Sequence, residues 1–309
     1  MGLLAVAHRR LLDIAFAPYT GKGTGERTLL RTMLGRLTGA GLLFLMDAGL
    51  YAFDILWAIR QQDAHVILKV PAQVQCKRTQ RLPDGSWLAE LTGKILDPTL
   101  PPTPQGHRHW QTVTLHVRVL RVEMPGFRPF RLMTTLLDPA ITARELVLHY
   151  HRRWDIEIAY DEIKTHQCAT LRGQAPTTFR SKLPDLVKQE IYALAITYNL
   201  VRTLICQAAA EHHQDPTTLS FLDALQHILD AAPFLTAAAP DRRELKRQYL
   251  LSLLADCQID RPRRPRLNPR VVKVKMSKWG RKTQAHKSEE RDIAAQFKIV
   301  DVGVDGSTA

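Results

Sequence analysis

Three observations predict an α/β fold. Gly41 to Asp47 (GLLFLMD) is a continuous apolar run ending in a carboxylate, the pattern of a central strand buried on both faces. A helical stretch, Tyr51 to Gln61, and a further strand, His65 to Val70, follow it directly. Between residues 74 and 128 several segments alternate with period two, most clearly Thr112 to Val122, where Val113, Leu115, Val117 and Val119 share one face.

In chain order, Leu11 to Phe16 reads as a core strand. Thr20 to Glu26 is Gly-rich, but it lacks the GxxxxGK[ST] order of a phosphate loop and reads as a plain loop. A helix over about Arg27 to Arg36 follows, with Leu30, Met33, Leu34 and Leu37 as its apolar stripe. Phe53, Leu56 and Trp57 would face inward from the next helix. Residues 71–129 carry prolines, glycines and alternating segments such as Ser86 to Leu91, and read as an antiparallel β insertion. Trp87 and Trp110 fit its core, although either could stack on a base. Phe130 to Leu136 returns to the main sheet. Thr142 and Glu145 have the spacing of a capping box, which starts a helix near Ala143. Pro184 opens a long helix to about Ala210, with apolar residues from Leu186 and Val187 to Ile196, Leu200 and Ile205. Ser220 to Leu229 and Asp241 to Asp256 are further helices, the first broken by the Pro233 segment.

The net charge is +13 over 309 residues, which favours a polyanionic partner, nucleic acid first. From Arg261 to Lys287 there are eleven Lys or Arg and no Asp or Glu, with three prolines that oppose a regular helix. This basic arm, including Arg263, Arg264, Arg266, Lys273 and Lys275, suits phosphates rather than base edges. The four cysteines form no CxxC pair, and His149, His151, His166 and Cys168 match no standard metal spacing. No leader and no bilayer-spanning apolar run is read, so a reducing intracellular compartment is the expectation.

The densest chemistry is His149 to Lys164, HYHRRWDIEIAYDEIK. On one continuous α-helix, Tyr150, Arg153, Glu157 and Lys164 fall within an arc of about 60°, with Asp161 beside them. Trp154, Ile156, Ile158 and Ile163 occupy the other faces. Asp47, at a strand end, and Glu157 are the best pair of metal-binding carboxylates, and their hard oxygens favour Mg²⁺ or Mn²⁺. Asp47 could equally cap the helix after it. Asp161 and Asp13 are spare acids. Arg153 and Lys164 could clamp phosphates, and Tyr150 could donate to one.

Tyr150-x2-Arg153-x3-Glu157-x6-Lys164 resembles the YREK signature of the bacterial insertion-sequence DDE transposases. LMTTLLDP, RRWDIEIAYDEIKTH, LRGQ, LLDIAFAPY, LLFLMDAGLYAFD and the basic tail resemble that family as well, over about residues 10–280. The resemblance implies an RNase H-like core interrupted by a β-rich insertion and followed by helices and a basic C-terminal arm. The divisions would be 1–70 and 130–210 for the two parts of the core, 71–129 for the insertion, 211–260 for a helical extension and 261–309 for the arm.

It further implies Mg²⁺-dependent cleavage and strand transfer of double-stranded element ends, by a homodimer on paired ends in the bacterial cytoplasm, at the nucleoid and not at a membrane. Glu157 would be the last acid of the Asp-Asp-Glu set and Asp47 the second; Tyr150, Arg153 and Lys164 would contact DNA. The family's Asp-Arg-Gly-Phe-like motif reads Asp47-Ala48-Gly49-Leu50 here. The family's first Asp lies on a strand upstream of LLDIAFAPY, where this sequence has no Asp before Asp13. The resemblance therefore implies an N-terminally truncated transposase, weakly active or inactive: a decayed, frameshifted or split element. The alternatives are a non-catalytic DNA-binding competitor of an intact transposase and an unrelated metal nuclease, which would need a further acid.

Overall fold

In a computed structural model of the chain, residues 1–18, 20–37, 40–97, 99–124, 128–168, 179–259, 266–267, 289–290 and 297–300 are described. The chain forms two compact units, one of residues 1–16 and 153–262, the other of residues 17–152 and 263–309.

The chain opens with a hairpin, β1 (Gly2–Ala5) antiparallel to β2 (Arg10–Ile14), whose turn holds Arg9 at φ 54°. Sequence reasoning makes the Leu11 segment a strand of the main core; the structure places it in this separate two-stranded sheet instead. Asn199 shows how the hairpin is satisfied there. Its side-chain oxygen accepts the Leu11 amide at 2.9 Å and its Nδ2 donates to the Leu11 carbonyl at 2.8 Å. A side chain thus makes bonds that a neighbouring strand would make in a larger sheet.

The unit of residues 17–152 and 263–309 is framed by a seven-stranded mixed sheet. Helix α1 (Glu26–Leu34) buries Leu30, Met33 and Leu34, as its stripe predicts. Strands β3 (Leu43–Met46) and β4 (His65–Val70) are parallel and joined through α2 (Phe53–Gln61). Four antiparallel strands extend the sheet: β5 (Lys77–Arg81), β6 (Trp87–Leu96), β7 (Trp110–Glu123) and β8 (Phe130–Thr134). The order is β3-β4-β8-β7-β6-β5, so the alternating segments lengthen the same sheet that β3 and β4 begin.

Three expectations need correction here. β3 ends the strand order rather than lying centrally; Phe44 and Met46 are buried, while Leu42 and Leu43 are 36% and 38% exposed. The outward position being another leucine hides the period of two. On α2 the fully buried residues are Ile55, Leu56 and Ile59, with Phe53 and Trp57 only half-buried. The Phe53 ring lies over Gly93 of β6, where a Cβ would sit 2.3 Å from it, so only glycine admits this contact. Trp87 is buried beneath the Arg78 guanidinium, 5.0 Å from its ring centre, whereas Trp110 is 61% exposed and is not core.

Helix α3 (Ala143–His151) starts with the predicted capping box. The Glu145 amide donates to Thr142 Oγ1 at 3.2 Å, and the Thr142 amide donates to Glu145 Oε2 at 2.7 Å. Its apolar face packs Leu146, Val147 and Tyr150 against Ile67, Leu120, Val122 and Leu132 of the sheet and Phe297. Two short pairs complete the unit: β9 (Arg266–Leu267) with β10 (Glu289–Glu290), and β11 (Lys298–Val300) along the edge of β7 that β6 has left.

The unit of residues 1–16 and 153–262 adds helices to the hairpin. These are α4 (Asp155–Asp161), α5 (Pro184–Glu211, with Pro184 at its first turn), α6 (Phe221–Thr236) and α7 (Pro240–Asp256). Their common core includes Tyr198, Val201 and Ile205 of α5, Phe221 and Leu225 of α6, and Leu251 and Leu254 of α7. Helix α6 starts where expected, with Ser220 as its N-cap, but continues through Pro233 rather than breaking there. On α5, Leu186, Ile196 and Leu200 are exposed at 43%, 60% and 62%, not buried. Against expectation, α5, 28 residues long, is long and apolar enough by length and composition to cross a bilayer. In this unit it is a packing helix, and it carries the fully buried Arg202.

Candidate active site

The stretch expected to be one helix is four segments. Helix α3 ends at His151, a 3₁₀ turn covers Arg152–Trp154, α4 covers Asp155–Asp161, and a π-helix covers Glu162–Gln167. Tyr150 therefore lies in α3, Arg153 in the 3₁₀ turn, Glu157 in α4 and Lys164 in the π-helix. A 3₁₀ turn advances each residue by about 120° rather than about 100°, and a π turn by less. The single 60° stripe calculated for a uniform helix does not hold. π turns recur at functional sites and persist where tertiary contacts hold them.

The four signature side chains differ in surroundings. Tyr150 is buried, 8% exposed, in the core between α3 and the sheet. The Arg153 guanidinium stacks 4.7 Å from the Trp154 ring centre, and the Lys164 ammonium lies 5.2 Å from that of Tyr160. Lys164 and Glu157 are exposed. Among the described residues, no hydrogen-bond or ion-pair partner engages the Glu157 carboxylate.

Its neighbouring acids are committed. Asp155, the first residue of α4, accepts Arg9 Nη2 at 3.2 Å. Glu162, the first residue of the π-helix, is ion-paired to Arg202, which has no exposure, and lies 3.9 Å from Arg9 Nη1. The Tyr198 hydroxyl is 3.0 Å from Glu162 Oε2 and 2.8 Å from the Arg9 carbonyl oxygen. Burial and the Glu162 charge push the Tyr198 phenol well above its ordinary value. Burial alone would lower the Arg202 guanidinium, but the Glu162 charge beside it keeps it above its usual value. At the far end of the π-helix, buried Gln167 donates to the Leu194 carbonyl of α5 at 3.0 Å.

This cluster was missed in the sequence. Its trace is an arginine, Arg202, set among the apolar residues of α5 between Tyr198 and Ile205. A buried charge requires a partner, and Glu162, one residue past Asp161, is that partner.

Asp47 follows the end of β3, is exposed, and accepts the amide of Ala48 through Oδ1 at 2.8 Å. It caps the 3₁₀ turn Ala48–Leu50 and leaves its other carboxylate oxygen outside that bond. The capping and ligand readings are thus compatible. Asp47 belongs to one compact unit and Glu157 to the other. Of the spare acids, Asp13 lies in β2 and accepts the Ile14 amide at 2.7 Å, and Asp161 accepts Thr165 Oγ1 at 2.9 Å. Arg266 is in β9; Arg263, Arg264, Lys273, Lys275 and the LRGQ segment lie outside the described residues.

Comparison with known proteins agrees with the transposase resemblance. The chain is 31% identical over 250 residues to the transposase InsG for insertion sequence element IS4 of Escherichia coli (strain K12), an overlap covering 78% of this chain and 52% of that protein. It thus spans about half the length of the curated relative it matches. Residues 4–200, which contain Asp47 and the whole Tyr150 to Lys164 stretch, match the transposase DDE domain, and the chain belongs to that family.

Proposed function

We propose that the chain is the DDE-type transposase domain of an insertion sequence, cleaving and joining DNA at the element's ends. The observation that carries this reading is the contrast on α4: Asp155 and Glu162 are held by arginines, while Glu157, the acid of the YREK spacing, is left exposed. An exposed carboxylate with no partner among the described residues suits a metal or a reacting group; structural ion pairing is already supplied by its neighbours.

The carboxylate of Asp47 and that of Glu157 each suit, by the chemistry of their donors, a hard divalent ion, Mg²⁺ or Mn²⁺. When bound, such ions activate a hydroxyl nucleophile and stabilise the leaving oxygen of a phosphodiester. The protein's own part is positional. Asp47 is fixed by its bond to the Ala48 amide, and Glu157 by the anchoring of α4. Lys164 and Arg153 place cationic groups near the DNA backbone. The basic arm, with Arg263, Arg264, Arg266, Lys273 and Lys275, adds sequence-independent affinity for double-stranded DNA. The mixed sheet with a parallel β3–β4 pair is taken as an RNase H-like core, with residues 71–129 as its insertion and 211–260 and 261–309 as extension and arm. A homodimer on paired ends, acting at the bacterial nucleoid, follows from the same reading.

The test is a Mg²⁺-dependent cleavage and strand-transfer assay on duplexes carrying the element's ends. Weak turnover, abolished by Glu157→Ala with DNA affinity kept, is the expected result. Binding without turnover under any divalent ion would favour the non-catalytic DNA-binding competitor.

A further inference from the structure

Arg9 occupies an unusual position. It is 9% exposed, sits in the β1–β2 turn and holds φ 54°, a left-handed conformation that few non-glycine residues adopt. Strain of this kind persists where surrounding contacts over-determine it. Here the contacts are specific. Arg9 Nη1 donates to the Thr217 carbonyl at 3.3 Å, Nη2 to Asp155 Oδ1 at 3.2 Å, and its carbonyl receives the Tyr198 hydroxyl at 2.8 Å. Nη1 also lies 3.9 Å from Glu162 Oε1.

Asp155 and Glu162 bracket α4 about two turns apart on one face. At about 100° per residue, Glu157 projects roughly 140–160° away from both. One guanidinium therefore grips α4 at its two ends from behind, and the exposed carboxylate points the other way.

We propose that Arg9 is a positioning residue for Glu157: by bridging Asp155 and Glu162 it fixes the rotation and pitch of α4 and so sets where the Glu157 carboxylate is presented to a divalent ion. The inference rests on the reading of Glu157 as a metal ligand. A planar fork is needed, because a single ammonium cannot reach the two carboxylates and the Thr217 carbonyl together.

The test is Mn²⁺ binding, followed by the ion's paramagnetic resonance, to the full chain on a duplex carrying the element's ends. The component lost in Glu157→Ala is the quantity read. Arg9→Ala is expected to weaken it at least fivefold and Arg9→Lys to an intermediate degree. Ile205→Val, a truncation in the same core, is expected to leave it within twofold. Amide exchange over residues 156–161 is expected to rise at least tenfold in Arg9→Ala and to stay unchanged in Ile205→Val. Wild-type binding without any Glu157-dependent component would overturn the ligand reading, and this inference with it. A normal component that survives Arg9→Ala and Arg9→Lys unchanged, or falls as far in Ile205→Val, would overturn the positioning role alone.

Discussion

Arg118, fully buried, and Asp84, partly exposed, form an ion pair that fastens the start of α3 to the sheet. Arg118, with no exposure, donates to Ser86 Oγ at 2.9 Å and to the carbonyls of Asp138 and Ile141 at 2.9 and 2.6 Å. Asp84 in turn accepts the amide of Ala143, the first residue of α3, at 2.7 Å. The pair therefore fixes the loop from β8 and the helix that carries Tyr150.

Removing one partner leaves the other charge buried. Asp84→Asn should destabilise the chain at neutral pH by about 3 kcal/mol, the lower end for a broken buried pair. Burial alone would raise the Asp84 carboxyl, but hydrogen bonds from Ser86 and Ala143 and the Arg118 charge outweigh it and hold it below its ordinary value. A depressed native value means that the contribution is present above about pH 3.9, the unfolded value, and is lost as pH falls through the native one. The gap between wild type and Asp84→Asn in urea midpoint should be full at pH 7 and should close in acid. A gap independent of pH would show that the carboxylate charge is not what matters.

Gly93 gives a steric prediction. The Phe53 ring occupies the place of any Cβ at 93, so Gly93→Ala forces the helix away from the strand. A loss of about 1–3 kcal/mol is expected, as for other overpacked cores. In Gly93→Ala/Phe53→Ala the clash is gone, and thermal melting should show a cost smaller than the sum of the two single changes. Strict additivity would mean that the two residues do not meet.

These contacts mark where the sequence was legible. The capping box at Thr142 and Glu145, strand β4 and the start of α5 at Pro184 depend on neighbours a few residues away, and all appear as read. The failures depend on distant partners. Nothing local in Gly41 to Asp47 says that β3 ends the strand order. Nothing local around Tyr150 to Lys164 announces a 3₁₀ turn and a π-helix; anchors such as Arg9 and Arg202 lie more than a hundred and about forty residues away. The Tyr-Arg-Glu-Lys spacing is a pattern visible along the chain, whereas the contacts of Arg9 with Asp155 and Glu162 are tertiary.

Tyr150 and Lys164 share the signature but not the environment. Tyr150 is core, so Tyr150→Ala should lower stability by about 3 kcal/mol, in the range for aromatic truncation. Lys164→Ala, at an exposed position, should leave the melting temperature unchanged and weaken end-DNA binding with a reduced salt dependence. Calorimetry paired with binding isotherms at two salt concentrations separates the two. Equal destabilisation by both changes would contradict their different burial.

Tyr198 predicts the alkaline limit. Its phenol is raised by burial first and by Glu162 second. A raised native value means that the contribution is complete below about pH 10, the unfolded tyrosine value, and declines as pH rises towards the native one. Wild type should therefore lose stability above pH 10 more steeply than Tyr198→Phe, as read by denaturant midpoints across that range. Parallel curves would show that the phenol ionises as freely in the folded protein as in the unfolded chain.

The Glu162–Arg202 pair separates the cost of breaking a charge pair from the cost of lacking one. Arg202→Met should destabilise by about 3–5 kcal/mol, because Glu162 is left buried with its strongest partner gone. Glu162→Met strands Arg202 in the same way. The double change Glu162→Met/Arg202→Met removes both charges and should recover much of the loss, since apolar replacement of a whole buried pair is often neutral. Recovery should stay incomplete. Arg9 loses one of its two carboxylates when Glu162 goes and keeps only Asp155, and the Tyr198 hydroxyl keeps only the Arg9 carbonyl. The residual deficit should therefore shrink, to the part owed to Tyr198, when Arg9 is already replaced, so that in an Arg9→Ala background the double change costs less than in wild type. Urea midpoints for the full set measure this coupling. Equal costs in the two backgrounds would mean that Arg9 holds α4 through Asp155 alone.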